Sequence, residues 1–109
     1  MYEYTAVVDK VIDGDTIDLI VNLGFHILFK ERFRLYGINA YETRGEDRTR
    51  GLEAKAFLES CCPEGSTVSV KTVKDQKGKY GRYLASLWLG DVCVNDELVA
   101  YGHAVYQKY

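Results

Sequence analysis

Apolar and polar positions alternate through the first third of the chain, and the pattern predicts strands. Residues 4–12 are rich in β-branched and aromatic types and read as a first strand. "DGD" at 13–15 is a turn signal. Residues 16–21 alternate again, with Ile17, Leu19 and Val21 on one face. Asn22 to Gly24 is a second turn signal. Residues 29–36 then put Phe33 and Leu35 on one face and Arg32 and Arg34 on the other. At this point the period changes. Ala54, Phe57, Leu58 and Cys61 follow i, i+3, i+4, i+7, which predicts a helix of about three turns, stopped by Pro63 and Gly65. Period two returns over 67–73, with Val68 and Val70 together. "QKGKYGR" at 76–82 reads as a hairpin connection, and 83–89 as a fifth strand. Asn95 is placed to cap a short helix through Ala100 or Tyr101, with Gly102 ending it. Three strands, a helix, two strands and a helix suit a mainly β (α+β) fold, a five-stranded Greek-key barrel of the OB type with two short helices. An open α+β sheet is the competing architecture.

The 109 residues allow one small domain, spanning 1–109. No apolar run approaches the 18 or so residues of a membrane span, so no membrane partner is expected. The start, Met-Tyr-Glu-Tyr-Thr, reads as having no secretory leader. Cys61 and Cys62 are adjacent, a poor geometry for a disulfide, and Cys93 is left over. An odd, unpatterned set of thiols favours a reducing, cytoplasmic setting and offers no zinc spacing. Nothing in the pattern demands more than a monomer.

The net charge of −2 argues against a generic nucleic-acid coat, but the charges are segregated. Residues 1–20 carry five acids and one base, whereas residues 71–82 carry five bases and one acid. An acidic pocket beside basic loops is able to hold a cation and a polyanion together; solvated surface charge is the plain alternative for most single lysines.

Chemistry concentrates in three stretches. Asp13 and Asp15 flank Gly14, and two carboxylates so spaced converge if the turn is tight, Gly14 permitting backbone angles closed to other residues. A simple Asp-Gly turn is the alternative. By parity Asp15 shares the face of Ile17 and Leu19, where an unpaired carboxylate is costly and a hard cation such as Ca²⁺ or Mg²⁺ would supply a partner. Arg34, on a strand, has the planar fork that grips two phosphate oxygens, or else is a salt-bridge partner. Glu42, past the strand end, is placed to take a proton from water, or else is a solvated acid. Arg82 follows Gly81 at a strand start, and an exposed hairpin arginine is its plain reading.

Together, "DGDT" at 13–16, "RLYGINAYE" at 34–42 and "KYGR" at 79–82 resemble, in order and spacing, the motif blocks of the staphylococcal nuclease (thermonuclease) family, and "VNDELVAYGHA" at 94–104 is similar to its helix after the fifth strand. The resemblance implies an OB-type barrel and Ca²⁺-dependent hydrolysis of DNA and RNA phosphodiesters. It also implies Asp15 as a direct Ca²⁺ ligand, Asn39 on the second carboxylate-ligand position, the Ala40 carbonyl as a third ligand and Asp13 as an outer acid. Glu42 would be the general base, and Arg34 and Arg82 would hold the scissile phosphate. Lys79 and Tyr80 would lie along the nucleic acid, with Tyr106 and Tyr109 in a base-stacking wall. Single-stranded DNA or RNA is the expected partner. Three residues depart from the family pattern. Asn39 stands where the family has an acid, Ala40 where it has a hydroxyl residue, and Tyr41 where it has proline. An amide oxygen still ligates Ca²⁺, with one charge fewer. Retention of Arg34, Glu42 and Arg82 favours an active nuclease of weakened metal affinity. The alternative is an OB module that binds single strands by stacking and charge without cutting.

Overall fold

The computed structural model describes residues 2–43, 45–77 and 83–107, with backbone alone at 74–77. Its long strands are β1 (Tyr2–Asp13), β2 (Thr16–Asn22) and β3 (Leu28–Leu35), followed by the short β4 (Ile38–Ala40). A single 3₁₀ turn at Gly45–Asp47 leads into α1 (Arg48–Cys61). Then come β5 (Thr67–Lys77), β6 (Tyr83–Leu89), β7 (Val92–Cys93), α2 (Val94–Ala100) and β8 (Ala104–Tyr106).

The main sheet runs β3-β2-β1-β5-β6-β7, and a parallel pairing of β3 with β6 closes it into a five-stranded barrel. The expected barrel is therefore the one present, and the open sheet is set aside. The closing pairs are Phe33 with Tyr83, Arg34 with Leu84 and Leu35 with Ala85. The interior is filled by the alternating faces anticipated above: Ile17, Leu19 and Val21, Phe33 and Leu35, Val68 and Val70 are all at most 3% exposed. Along β1 the buried residues are Ala6, Val8 and Val11. The odd step from 8 to 11 is absorbed by a register shift against β2 between Val8 and Lys10, which turns the strand and restores its apolar face to the core.

Three local expectations are corrected. The helix is longer than three turns, with 14 residues, because it begins in the polar stretch Arg48-Thr49-Arg50, where no apolar period announces it. Its buried stripe is Gly51, Ala54 and Leu58, with Cys62, not Cys61, fully buried just beyond. Second, Asn95 is not the cap of α2; Cys93 holds that position and Asn95 points inward from the first turn. There its amide accepts from Leu87 N–H at 3.1 Å and donates to the carbonyls of Tyr36 at 3.0 Å and Ala85 at 3.2 Å. A buried amide wins more from three backbone partners than from one exposed cap. Third, β4, β7 and β8, of two or three residues each, were too short to show a period; β4 and β8 form their own small sheet. The proposed connection at 76–82 overlaps β5 at its start and otherwise lies outside the described residues.

Among the described residues no helix is long and apolar enough to cross a membrane. All three cysteines are free thiols. Burial pushes the Cys62 thiol up to about 12, with Cys61 beside it adding to the shift.

Candidate active site

The site is built where three chain segments meet at the barrel rim. The Asp13-Gly14-Asp15 turn joins β1 to β2. The end of β3 lies beside it, because the Leu35 N–H donates to the Asp15 carbonyl at 2.8 Å, and Arg34 sits opposite Thr16 in the ladder. The segment 39–43 closes the third side. Asp13, Asp15, Thr16, Arg34, Asn39, Ala40, Tyr41, Glu42, Thr43 and Gln107 line one open depression of about 520 Å³.

Asp15 is the organising group. One carboxylate oxygen accepts from the Ala40 N–H at 2.9 Å and pairs with the Arg34 guanidinium at 3.2 Å. The other accepts from the Thr16 hydroxyl at 3.1 Å. The partner the sequence demanded for this carboxylate is thus, in the protein alone, an arginine and a backbone amide. Both side chains of the pair are largely enclosed, 14% and 13% exposed, so their attraction is screened less than at a free surface.

Arg34 reaches further, donating to Asn39 Oδ1 at 3.3 Å, Gln107 Oε1 at 3.4 Å and the Leu35 carbonyl at 3.3 Å. Its neighbour on the same strand face, Arg32, makes a two-pronged surface pair with Asp18 at 2.8 and 3.2 Å. That hydrogen-bonded pair holds the Arg32 guanidinium above its ordinary pKa. The two arginines differ because Arg34 stands at the strand end, over the turn that carries Asp15.

Asp13 accepts from the Thr43 hydroxyl at 2.9 Å, tying the 39–43 segment to the turn. Glu42 is exposed in that segment, and the Tyr41 ring lies 5.2 Å from the Arg50 guanidinium carbon on α1. Gly14 has a different reason from the one expected. It is not among the glycines with positive φ; space is what it supplies, since a Cβ there would stand 2.7 Å from Ala54 Cβ and 3.0 Å from Ala40 Cβ.

Of the residues singled out, Asp13, Asp15, Arg34, Asn39, Ala40 and Glu42 come together. Tyr106 does not line the depression; on β8 it is 66% exposed and its hydroxyl donates to Asp96 at 3.2 Å. Lys79, Tyr80, Arg82 and Tyr109 lie outside the described residues. Thr43 and Gln107 escaped the sequence reading: Thr43 is a common loop residue, and Gln107 reaches Arg34 only because its N–H donates to the Gly37 carbonyl at 2.8 Å, beside the β4–β8 pairing.

The donor set around the turn is all oxygen, the chemistry a hard cation such as Ca²⁺ prefers. No group of three His, Cys, Asp or Glu side chains able to hold a metal occurs among the described residues.

Fold and site together define an OB-type barrel with an acid–arginine centre at its rim. The pattern of the staphylococcal nuclease homologue family matches residues 32–109, and the chain belongs to that family. It is 36% identical to the thermonuclease of Staphylococcus intermedius and 33% to that of Staphylococcus hyicus, over 94% and 98% of its own length. It is 32% identical to endonuclease YhcR of Bacillus subtilis (strain 168) over 94% of its length. It spans 59% and 62% of the two thermonucleases and 9% of YhcR.

Proposed function

We propose that the chain is a nuclease domain that hydrolyses phosphodiester bonds of DNA or RNA with the help of Ca²⁺. The observation that carries the reading is the shared depression, into which a turn, a strand end and a loop bring Asp15, Arg34, Asn39 and Glu42. The names of the similar proteins support the same reaction class.

Asp15, Asn39 and the Ala40 carbonyl would hold the cation, with Asp13 as an outer acid; when bound it supplies Lewis-acid charge beside the phosphate. Glu42 takes a proton from the attacking water as the new P–O bond forms; the ester P–O bond breaks and the leaving oxygen takes a proton from solvent. Arg34 holds non-bridging phosphate oxygens, turning part of its fork from Asp15 toward the substrate. The Nη2 contacts to Asn39 and Gln107 hold the other arm of the guanidinium while it does so. Arg82 is assigned the second grip on the phosphate from its motif alone. Contacts of this kind go to the backbone, so little sequence preference is expected.

The test uses single-stranded DNA and RNA with Ca²⁺ and then with EDTA. Cutting in Ca²⁺ that stops in EDTA is expected. Cutting at full rate in EDTA removes Ca²⁺ from the scheme. Salt-sensitive binding with no cutting at any Ca²⁺ concentration replaces the enzyme with a binding module.

A further inference from the structure

Gly51 lies buried in the first half of α1. Glycine is among the poorest helix formers, so its place there calls for a reason. The reason is what packs on it. A Cβ at Gly51 would run into the carbonyl group of Glu42 and stand 2.7 Å from the Thr43 backbone nitrogen. These are backbone atoms, which do not swing aside as the end of a side chain does. The hydrogen that occupies the Cβ direction instead points at the Glu42 carbonyl, a close Cα–H···O approach.

One turn on, Ala54 packs on Gly14 of the acidic turn, and one turn further Leu58 is fully buried in the core. The same face of α1 therefore touches the Glu42–Thr43 backbone, then the Asp13–Asp15 turn, then the barrel interior. Its core end is anchored by Leu58 and Ala54, both 0% exposed, whereas residues 41–43 belong to no helix or strand. A methyl at position 51 would push the 42–43 segment outward before it tilted the helix.

We infer that Gly51 is a positioning residue for Glu42, setting the distance of that carboxylate from the acidic turn and Arg34. The inference rests on the role proposed above for Glu42. In Gly51→Ala the carboxylate is still present, but it hangs from a displaced backbone.

Three variants test it: Gly51→Ala, Glu42→Gln and the two combined. Gly51→Ala is expected to keep its far-UV circular dichroism and to unfold cooperatively in urea, at a midpoint somewhat below the parent's because the 42–43 backbone has to move. The amide resonances of Glu42 and Thr43 should move while those of Leu19 and Leu87 stay. Its kcat should fall roughly tenfold to a hundredfold at a KM within about twofold of the parent's. The double variant should be no slower than Glu42→Gln alone, because a residue acting through Glu42 has nothing left to act on. Losses that add in the double variant, or unmoved Glu42 and Thr43 amides, overturn the inference. So does failure of Gly51→Ala to fold, which would make the contact a support of the fold and not of one loop. If the parent does not cut, or Glu42→Gln cuts at full rate, the proposed role of Glu42 is what fails, and the amide shifts alone decide whether Gly51 places that backbone.

Discussion

Replacing Asn95 with alanine tests how far the site depends on a residue outside it. Asn95 is 3% exposed and makes three hydrogen bonds to backbone groups of Leu87, Tyr36 and Ala85. It thereby locks α2 onto β6 and onto the turn after β3. Alanine removes all three bonds and leaves the Leu87 N–H facing a gap. Three bonds at roughly 1 kcal/mol each set a floor near 3 kcal/mol, and the stranded donor raises the expected cost to about 3–5 kcal/mol. For a domain of this size, whose whole stability is on the order of 5–15 kcal/mol, that is a large share. Urea unfolding followed by Trp88 fluorescence should show the midpoint fall with an unchanged slope. Asn95→Asp keeps the acceptor but loses the donor and buries a charge, so it should lose at least as much. The Tyr36 carbonyl opens the turn into β4, which carries Asn39 and Ala40, so cleavage should weaken even where Asn95→Ala remains folded. A stability loss below about 1 kcal/mol, or full recovery in Asn95→Leu, would refute the account of this amide as a structural clamp.

Three further outcomes are expected. Arg34→Ala should lower cleavage by about a hundredfold to a thousandfold, and Arg34→Lys should not restore it, since a single ammonium does not reproduce the fork shared among Asp15, Asn39 and Gln107; near-parent rates in Arg34→Lys would argue against that geometry. Asn39→Asp adds a carboxylate to the oxygen set and should tighten Ca²⁺ binding in calorimetry; unchanged or weaker affinity would mean that residue 39 does not touch the ion. Cys62 ionises in the folded protein at about 12, against 9.0 for the free thiol, so its contribution to stability is intact below pH 9 and is lost as pH rises toward 12; Cys62→Ala should flatten the alkaline fall in the urea midpoint, and equal slopes would show that Cys62 is not responsible.

The barrel was legible because its long strands carry their burial in period two. Ile17, Leu19 and Val21 need only be read in order to be placed inside. The site was legible in part for the same reason: Asp15 continues an inward face, and a carboxylate there needs a partner. What parity leaves open is which partner. Arg32 and Arg34 occupy the same strand face and look alike in the chain, yet one makes a surface pair with Asp18 and the other an enclosed pair with Asp15. That difference comes from which residues lie across the ladder and beyond the strand end, and local pattern does not contain it.

The chain's own order therefore settles the alternating faces, the turn at 13–15 and the residue types offered for chemistry, because these follow from neighbours within a few positions. Only the folded molecule decides that Asn95 serves as an internal clamp and not a cap, that Gln107 meets Arg34 across 73 positions, and that Gly14 and Gly51 are present for space. Each of those is a contact between segments remote along the polymer, where backbone approaches too closely for a Cβ or a buried polar group takes whichever partner the packing brings to it.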